Sequence, residues 1–205
     1  MSAPLPPVPD LDQLRSGGKR AVAQALAAVE TQRGTPVLTA LLDKAARAAK
    51  AHVLGLTGPP GVGKSTLTNA LVRRARAQGL SVAVLAVDPS SRRTKGALLG
   101  DRARIQTDPE DRLVFVRSMA ARDRLGGLSD DAVAAMVLLR AVYDLVIVET
   151  VGVGQSEADI SLVADTVVLC IQPGSGDSLQ FMKAGVMELP VIIVVTKQGN
   201  IVAII

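Results

Sequence analysis

The rarest residues of this chain already exclude several kinds of function. Among its 205 residues there is one cysteine, Cys170, and one histidine, His52. A disulfide within the chain is therefore impossible, and a structural zinc site needs four such ligands. Catalysis by a Ser-His-Asp triad or a Cys-His pair would have to use His52, which opens the apolar run HVLGL and which we interpret as a strand-edge residue.

Aromatic residues and long apolar runs are also scarce. The chain has no tryptophan and only Phe115, Tyr143 and Phe181, so platforms for stacking bases are few and we expect no nucleic-acid partner, despite a net charge of +4. The sequence contains no run of eighteen apolar residues, so we expect no membrane span. The N-terminus MSAPLPPVP lacks the basic and apolar segments of a secretory signal. We therefore expect a cytoplasmic protein.

The apolar patterning predicts an α/β fold with a mostly parallel sheet flanked by helices in three layers. Nearly continuous apolar runs are typical of parallel strands that are buried on both faces. Six such runs lie at 53–57, 82–87, 113–116, 145–149, 166–171 and 191–196. Helical spacing is found at 19–32, 36–50, 64–78 and 130–142, with Thr35-Pro36 and Ser129 as helix starts.

The strongest motif is GPPGVGKS at 58–65, which follows a predicted strand and precedes a predicted helix. Its glycines permit backbone angles that side chains forbid, so the chain can wrap closely around an anion. The two prolines have no N–H, so the amide donors must begin at Gly61, and the following helix adds its dipole. The predicted nucleotide-binding residues of this loop are Gly58, Pro59, Pro60, Gly61, Val62, Gly63, Lys64, Ser65 and Thr66.

A nucleoside triphosphatase also needs groups for phosphate, metal and water. We expect Lys64 to bridge the β- and γ-phosphates and Ser65 to hold Mg²⁺. Asp88 and Glu149 end two strands and would share one sheet edge with the loop, while Asp101 lies in the aperiodic segment 89–111. Asp88 also fits a capping acid, and Asp101 a solvated acid at a helix start.

The segment after Glu149 reads TVGVGQSE. Its Gly152 is a candidate donor of an N–H to the γ-phosphate, in a loop that could move when this phosphate leaves. We therefore take the catalytic candidates to be Lys64, Asp88, Asp101, Glu149 and Gly152, and the metal candidates to be Ser65, Asp88, Asp101 and Glu149.

Longer motifs carry a family resemblance: VLGLTGPPGVGKSTL, VAVLAVDPSS, GALLGDR, VIVETVGVGQSEADI and QPGSGDSLQFMKAGVMELP. From about residue 18 to about residue 195 the chain resembles the MeaB/ArgK family of P-loop GTPases. The resemblance implies slow GTP hydrolysis with Mg²⁺, GTP and GDP as ligands, and a homodimer. It also implies an adenosylcobalamin-dependent acyl-CoA mutase as partner, usually methylmalonyl-CoA mutase, whose cofactor loading the GTPase gates. Residues 151–157 become the second switch.

The chain departs from this family where the guanine base is read. The family has an Asn/Thr-Lys-x-Asp element, whereas this sequence reads TKQGN at 196–200. Thr196 and Lys197 match and are candidate nucleotide-binding residues, but the aspartate is absent. A charge-assisted hydrogen bond is worth about 1.5–3 kcal/mol, so guanine discrimination should fall while phosphate binding remains.

Three parts of the chain are expected: a flexible proline-rich head at 1–9, N-terminal helices at 10–50, and a P-loop GTPase domain at 51–205 that is incomplete at its C-terminal end. Because the sequence stops at Ile205, the family's dimer arm would be missing. Two alternatives to the mutase-associated GTPase stay open. One is a P-loop kinase, as in the older transport-kinase label, and the other is an inactive nucleotide-binding fragment.

Overall fold

The structure, a computed structural model, describes residues 5–88, 105, 108, 110–120, 128–150, 160–172, 191–197 and 200–204. Helices α1 to α5 comprise Leu11–Ser16, Gly18–Thr31, Pro36–Arg47, Lys64–Ala77 and Asp130–Val142. Strands β1 to β7 comprise His52–Thr57, Val82–Asp88, Val114–Ala120, Leu145–Thr150, Thr166–Ile171, Val191–Lys197 and Asn200–Ile204.

The strands form one sheet in the order β3-β2-β4-β1-β5-β6-β7. The first six pair in parallel, and β7 runs antiparallel to β6. The predicted mostly parallel α/β fold is confirmed, and β7 is a strand that the sequence patterns did not predict. Since β1 lies between β4 and β5, the loop that follows β1 leaves from the middle of the sheet's carboxyl edge.

Two predicted helix starts are confirmed by their caps. The Thr35 hydroxyl accepts a hydrogen bond from the Leu38 amide at 3.4 Å, with Pro36 in the first turn. The Ser129 hydroxyl accepts from the Ala132 amide at 3.2 Å. Both side chains satisfy an amide that has no acceptor within its own helix.

Each face of the sheet has its own apolar core. One face packs against α2, α3 and α5 through buried residues that include Val53, Leu85, Val146, Leu26, Leu41 and Leu139. The other face packs against α4 through Leu56, Val84, Ile147, Leu67, Val72 and Ala75. The strands are therefore apolar on both faces, which is why their sequences do not alternate.

The N-terminal segment contacts the helical preface. The Gln24 side-chain amide donates to the Pro7 carbonyl at 2.6 Å, and the Gln32 amide donates to the Pro6 carbonyl at 2.7 Å. Pro6 and Pro7, within the head that the sequence predicts to be flexible, thus have hydrogen-bond partners on and after α2. The division into three parts stays a prediction. In the part of the chain that the structure describes, no helix is long and apolar enough to cross a membrane.

Candidate nucleotide-binding site

The phosphate loop passes very close to its neighbouring strand. Gly58 has φ +136°, and a Cβ at this position would lie 2.2 Å from the Cys170 carbonyl oxygen of β5. A side chain cannot be accommodated there without moving backbone atoms, so only glycine lets the chain leave β1 along this path. Gly61 and Gly63 also have positive φ angles, of +81° and +92°.

The loop ends at the N-terminus of α4. Gly63 is the N-cap residue in the left-handed conformation, and as a glycine it has no side chain with which to cap the helix. The first turn of α4 therefore receives no side-chain cap, and its amides lie at the positive end of the helix dipole. This is the arrangement that binds phosphate groups in proteins.

The Lys64 ammonium lies inside the loop. Its Nζ donates to the carbonyls of Gly58 at 2.7 Å and Pro59 at 2.9 Å, and the residue is only 7% exposed. These bonds hold a positive charge beside the amides of the α4 N-terminus. The loop therefore carries a buried cation where an anion would be bound.

Glu149, at the carboxyl end of β4, faces the same helix. Its Oε1 accepts from the Ser65 hydroxyl at 2.9 Å, and its Oε2 accepts from the Thr68 hydroxyl at 3.0 Å. The structure thus brings Lys64, Ser65 and Glu149 together, and their roles toward nucleotide and metal stay predictions. Thr68 is a residue that the sequence analysis missed, although a polar residue on the apolar face of α4, three positions after Ser65, was a usable signal.

A cavity of about 340 Å³ opens at this point. It lies between the phosphate loop, the first turn of α4 and the ends of β2 and β4. The described residues that line it are Pro60, Gly61, Gly63, Lys64, Ser65, Thr66, Ala86, Val87, Ile105 and Glu149. Its volume is within the range of small-ligand sites.

Thr196 supports the loop from β6. Its buried hydroxyl donates to the Val62 carbonyl and lies 3.2 Å from the Ile171 carbonyl oxygen. The side chain predicted to belong to the base-reading element therefore ties β6 to the backbone of the phosphate loop and of β5. Lys197 is the last residue of β6, and its side chain lies outside the described part of the chain.

The other predicted acids are placed less completely. Asp88 is the last residue of β2, and the preceding residue, Val87, is paired with Thr150 of β4. The Asp88 backbone therefore lies at the same sheet edge as Glu149. The Asp88 side chain, Asp101 and Gly152 lie outside the described residues. Their predicted roles stay predictions.

The single cysteine and the single histidine take no part in this site's chemistry. Cys170 is fully buried, and burial raises the pKa of its thiol to about 11, which keeps it protonated at neutral pH. His52 begins β1, at the end of the strand opposite the phosphate loop, and its Nε2 lies 3.0 Å from the Thr166 hydroxyl. The interpretation of His52 as a strand-edge residue agrees with this position.

The donor atoms of the site fit a magnesium ion. Mg²⁺ prefers oxygen ligands and is commonly held by one or two protein groups together with substrate phosphates and water. Ser65 and Glu149 present paired oxygen atoms beside the phosphate loop. Within the described ranges no three residues of the His, Cys, Asp and Glu types cluster as a metal site, and a magnesium ion shared with a nucleotide does not require such a cluster.

The parallel sheet, the loop after its central strand and the buried lysine define a P-loop protein of the nucleoside triphosphate-binding class. The family model described as methylmalonyl-CoA mutase-associated GTPase MeaB matches residues 22–203. This match covers most of the chain, and the chain belongs to that family.

Relatives agree with this assignment. A protein of Pyrococcus horikoshii that is named as a GTPase is 49% identical over 189 residues, which cover 91% of this chain and 59% of that protein. The GTPase ArgK of Escherichia coli is 40% identical, with 92% of this chain and 58% of ArgK covered. The Caenorhabditis elegans methylmalonic aciduria type A homolog, mitochondrial, is 38% identical, with coverages of 91% and 51%.

A solved structure is also similar. The crystal structure of a LAO/AO transport system kinase aligns with a TM-score of 0.61 and 32% identity, and the alignment covers 85% of this chain and 52% of that one. The chain thus spans about half the length of the relatives that it matches.

Proposed function

We propose that this chain binds GTP and GDP together with Mg²⁺ and hydrolyses GTP slowly. The observation that carries the proposal is the convergence of the Lys64 ammonium and the Ser65–Glu149 pair on one cavity at the N-terminus of α4. Membership of the MeaB family and the GTPase names of the relatives support guanine nucleotides as the ligands.

The residues of the loop would act by position and charge. The amides from Gly61 onward and the Lys64 ammonium stabilise the negative charge that spreads over the γ-phosphate oxygens during transfer. Glu149 accepts a hydrogen bond from the Ser65 hydroxyl, which would leave the Ser65 oxygen lone pairs to face the cavity. A Mg²⁺ ion bound there would supply further charge neutralisation for the β- and γ-phosphates. Asp88, Asp101 and Gly152 complete this proposal as metal-shell and γ-phosphate residues.

Slow turnover follows from the composition of the cavity. Among the described lining residues, Glu149 is the one carboxylate, and both of its oxygens already accept hydroxyl hydrogen bonds. It is therefore poorly placed to act as a strong general base for water. Acceleration would come from a partner that acts on the switch segments, among them the predicted second switch at residues 151–157.

We further propose that the partner is an adenosylcobalamin-dependent acyl-CoA mutase of the methylmalonyl-CoA mutase type in the cytoplasm. The description of the family model and the name of the C. elegans relative support this partner. Guanine specificity should be weak, because TKQGN supplies no aspartate at the base-reading position.

The test is calorimetric titration of GTP, GDP and ATP with Mg²⁺, followed by hydrolysis assays with and without methylmalonyl-CoA mutase. Lys64→Ala should reduce hydrolysis by roughly 10²-fold or more, because it removes the cation at the transferred phosphate. Lys44→Ala, on the exposed side of α3, is the matched control and should leave the rate unchanged. Wild-type rates in Lys64→Ala would refute the mechanism.

The kinase named in the structural comparison gives a second candidate function. Transfer of the γ-phosphoryl group of a labelled nucleotide to an acceptor, rather than to water, would favour it. Absence of both hydrolysis and transfer in a chain that still binds nucleotide would favour the inactive nucleotide-binding fragment.

A further inference from the structure

The Thr68 hydroxyl has an unusual hydrogen-bond acceptor for a threonine within a helix. A threonine within a helix commonly donates to the carbonyl four residues earlier. Thr31 and Thr39 of this chain do so, with distances of 2.7 Å to the Ala27 carbonyl and 3.0 Å to the Thr35 carbonyl. Thr68 instead donates at 3.0 Å to Glu149, which is 81 positions away.

This hydrogen bond fixes a carboxylate that also contacts Ser65. Thr68 lies one helical turn after Ser65, so both hydroxyls point from the same face of α4 toward β4. Each of them donates to a different oxygen of Glu149, at 2.9 Å and 3.0 Å. With both oxygens engaged, the carboxylate cannot rotate without breaking a charge-assisted hydrogen bond.

We propose that Thr68 is a positioning residue for divalent-cation binding. It holds the Glu149 carboxylate in the orientation that accepts a hydrogen bond from the Ser65 hydroxyl, so that the Ser65 oxygen lone pairs would be free to face the cation. The inference rests on the proposed function and adds to it a residue that touches neither nucleotide nor metal. Thr68 is completely buried, with 0% of its surface exposed, and does not line the cavity.

The expected signature is a loss of cation affinity with little loss of nucleotide affinity. Residues that orient metal ligands typically change metal affinity by about 10- to 100-fold when they are removed. Thr68→Val keeps the branched shape and removes the donor, and we expect about tenfold weaker binding of Mg²⁺, because the Ser65 bond to Glu149 remains possible. Thr68→Ser keeps the hydroxyl and should restore wild-type affinity.

The experiment uses the full chain and a fluorescently labelled, non-hydrolysable GTP analogue. Affinity for the analogue is measured first in EDTA, and Mg²⁺ is then titrated into the chain with the analogue present. Thr39→Val, which removes a helical threonine hydroxyl far from Glu149, is the matched control and should behave as wild type. Thermal unfolding shows whether each variant is folded. If Thr68→Val does not fold, Thr68→Ala replaces it in the same titrations.

The outcomes separate this inference from the proposed function. Weaker Mg²⁺ binding in Thr68→Val, with unchanged binding in EDTA and rescue by Thr68→Ser, supports the positioning role. Equal Mg²⁺ affinities of Thr68→Val, Thr68→Ser and wild type would overturn the inference alone. A wild-type chain whose analogue binding is absent or independent of Mg²⁺ would overturn the proposed function and this inference with it.

Discussion

Replacing Gly58 by alanine should damage both stability and nucleotide binding. The new Cβ would lie 2.2 Å from the Cys170 carbonyl oxygen and 3.1 Å from its carbon, both of them backbone atoms of a central strand. The residue would also keep a φ of +136°, a left-handed conformation that L-residues rarely adopt. The first turn of the phosphate loop would therefore have to move away from β5.

Two costs set the magnitude. A left-handed conformation costs an L-residue about 1–2 kcal/mol. Overpacking a well-packed region costs roughly a further 1–3 kcal/mol. Gly58→Ala should therefore lower the free energy of unfolding by about 2–5 kcal/mol, which is a large share of the stability of an ordinary domain. Gly79 has φ +78° and no atom within 4 Å of the place where a Cβ would lie, so Gly79→Ala should lose about 1–2 kcal/mol from the backbone alone.

The assay is urea unfolding of both variants, together with titration of the labelled nucleotide. Gly61→Ala is a third member of the series, because it lies in the loop with φ +81° and open space around a Cβ. If Gly58→Ala loses no more stability than Gly79→Ala, the close approach to Cys170 does not constrain the loop and the reasoning is wrong.

Two further predictions concern protonation. The hydrogen bond from Lys50 and those from Ser81 lower the pKa of Asp144 from an ordinary 3.8 to about 2. The stabilisation that the Asp144 carboxylate provides is therefore present above pH 4 and is lost as the pH falls through 2. The free energies of unfolding of wild type and Asp144→Asn, from denaturant titrations, should differ by about 1 kcal/mol or less at pH 7, since the carboxylate is partly exposed. They should converge as the pH falls through 2, whereas a constant difference would contradict the assignment. The buried Cys170 thiol, with its pKa near 11, should resist a thiol reagent at pH 8 until the chain unfolds, and rapid labelling of the folded chain would show that β5 opens.

The sequence predicts the sheet well where strands are buried on both faces, because burial requires uninterrupted apolar runs. It predicts the edges poorly. Strand β3 continues through Arg117 and Ser118 to Ala120, beyond the predicted end at 116, because an edge strand tolerates polar residues that interrupt its apolar run. Strand β7 pairs antiparallel with β6, and a short apolar segment in isolation does not specify such a partner.

The site shows the same division between local and long-range information. Positions 58–66 follow from a contiguous motif whose geometry is local. The bonds from Thr68 to Glu149 and from Thr196 to Val62 join residues 81 and 134 positions apart, and no local periodicity encodes them. They become visible only when the strands are placed side by side.

The position of Thr196 predicts that phosphate binding and base recognition can be lost separately. Its hydroxyl donates to the Val62 carbonyl, so β6 contacts the backbone of the phosphate loop directly. This contact does not require a bound nucleotide. Gly199 stands where the family has its base-reading aspartate, so under the proposed function a contact with guanine would be missing while this support stays in place. A chain with this sequence should therefore keep a well-formed phosphate loop while its preference for guanine over adenine declines.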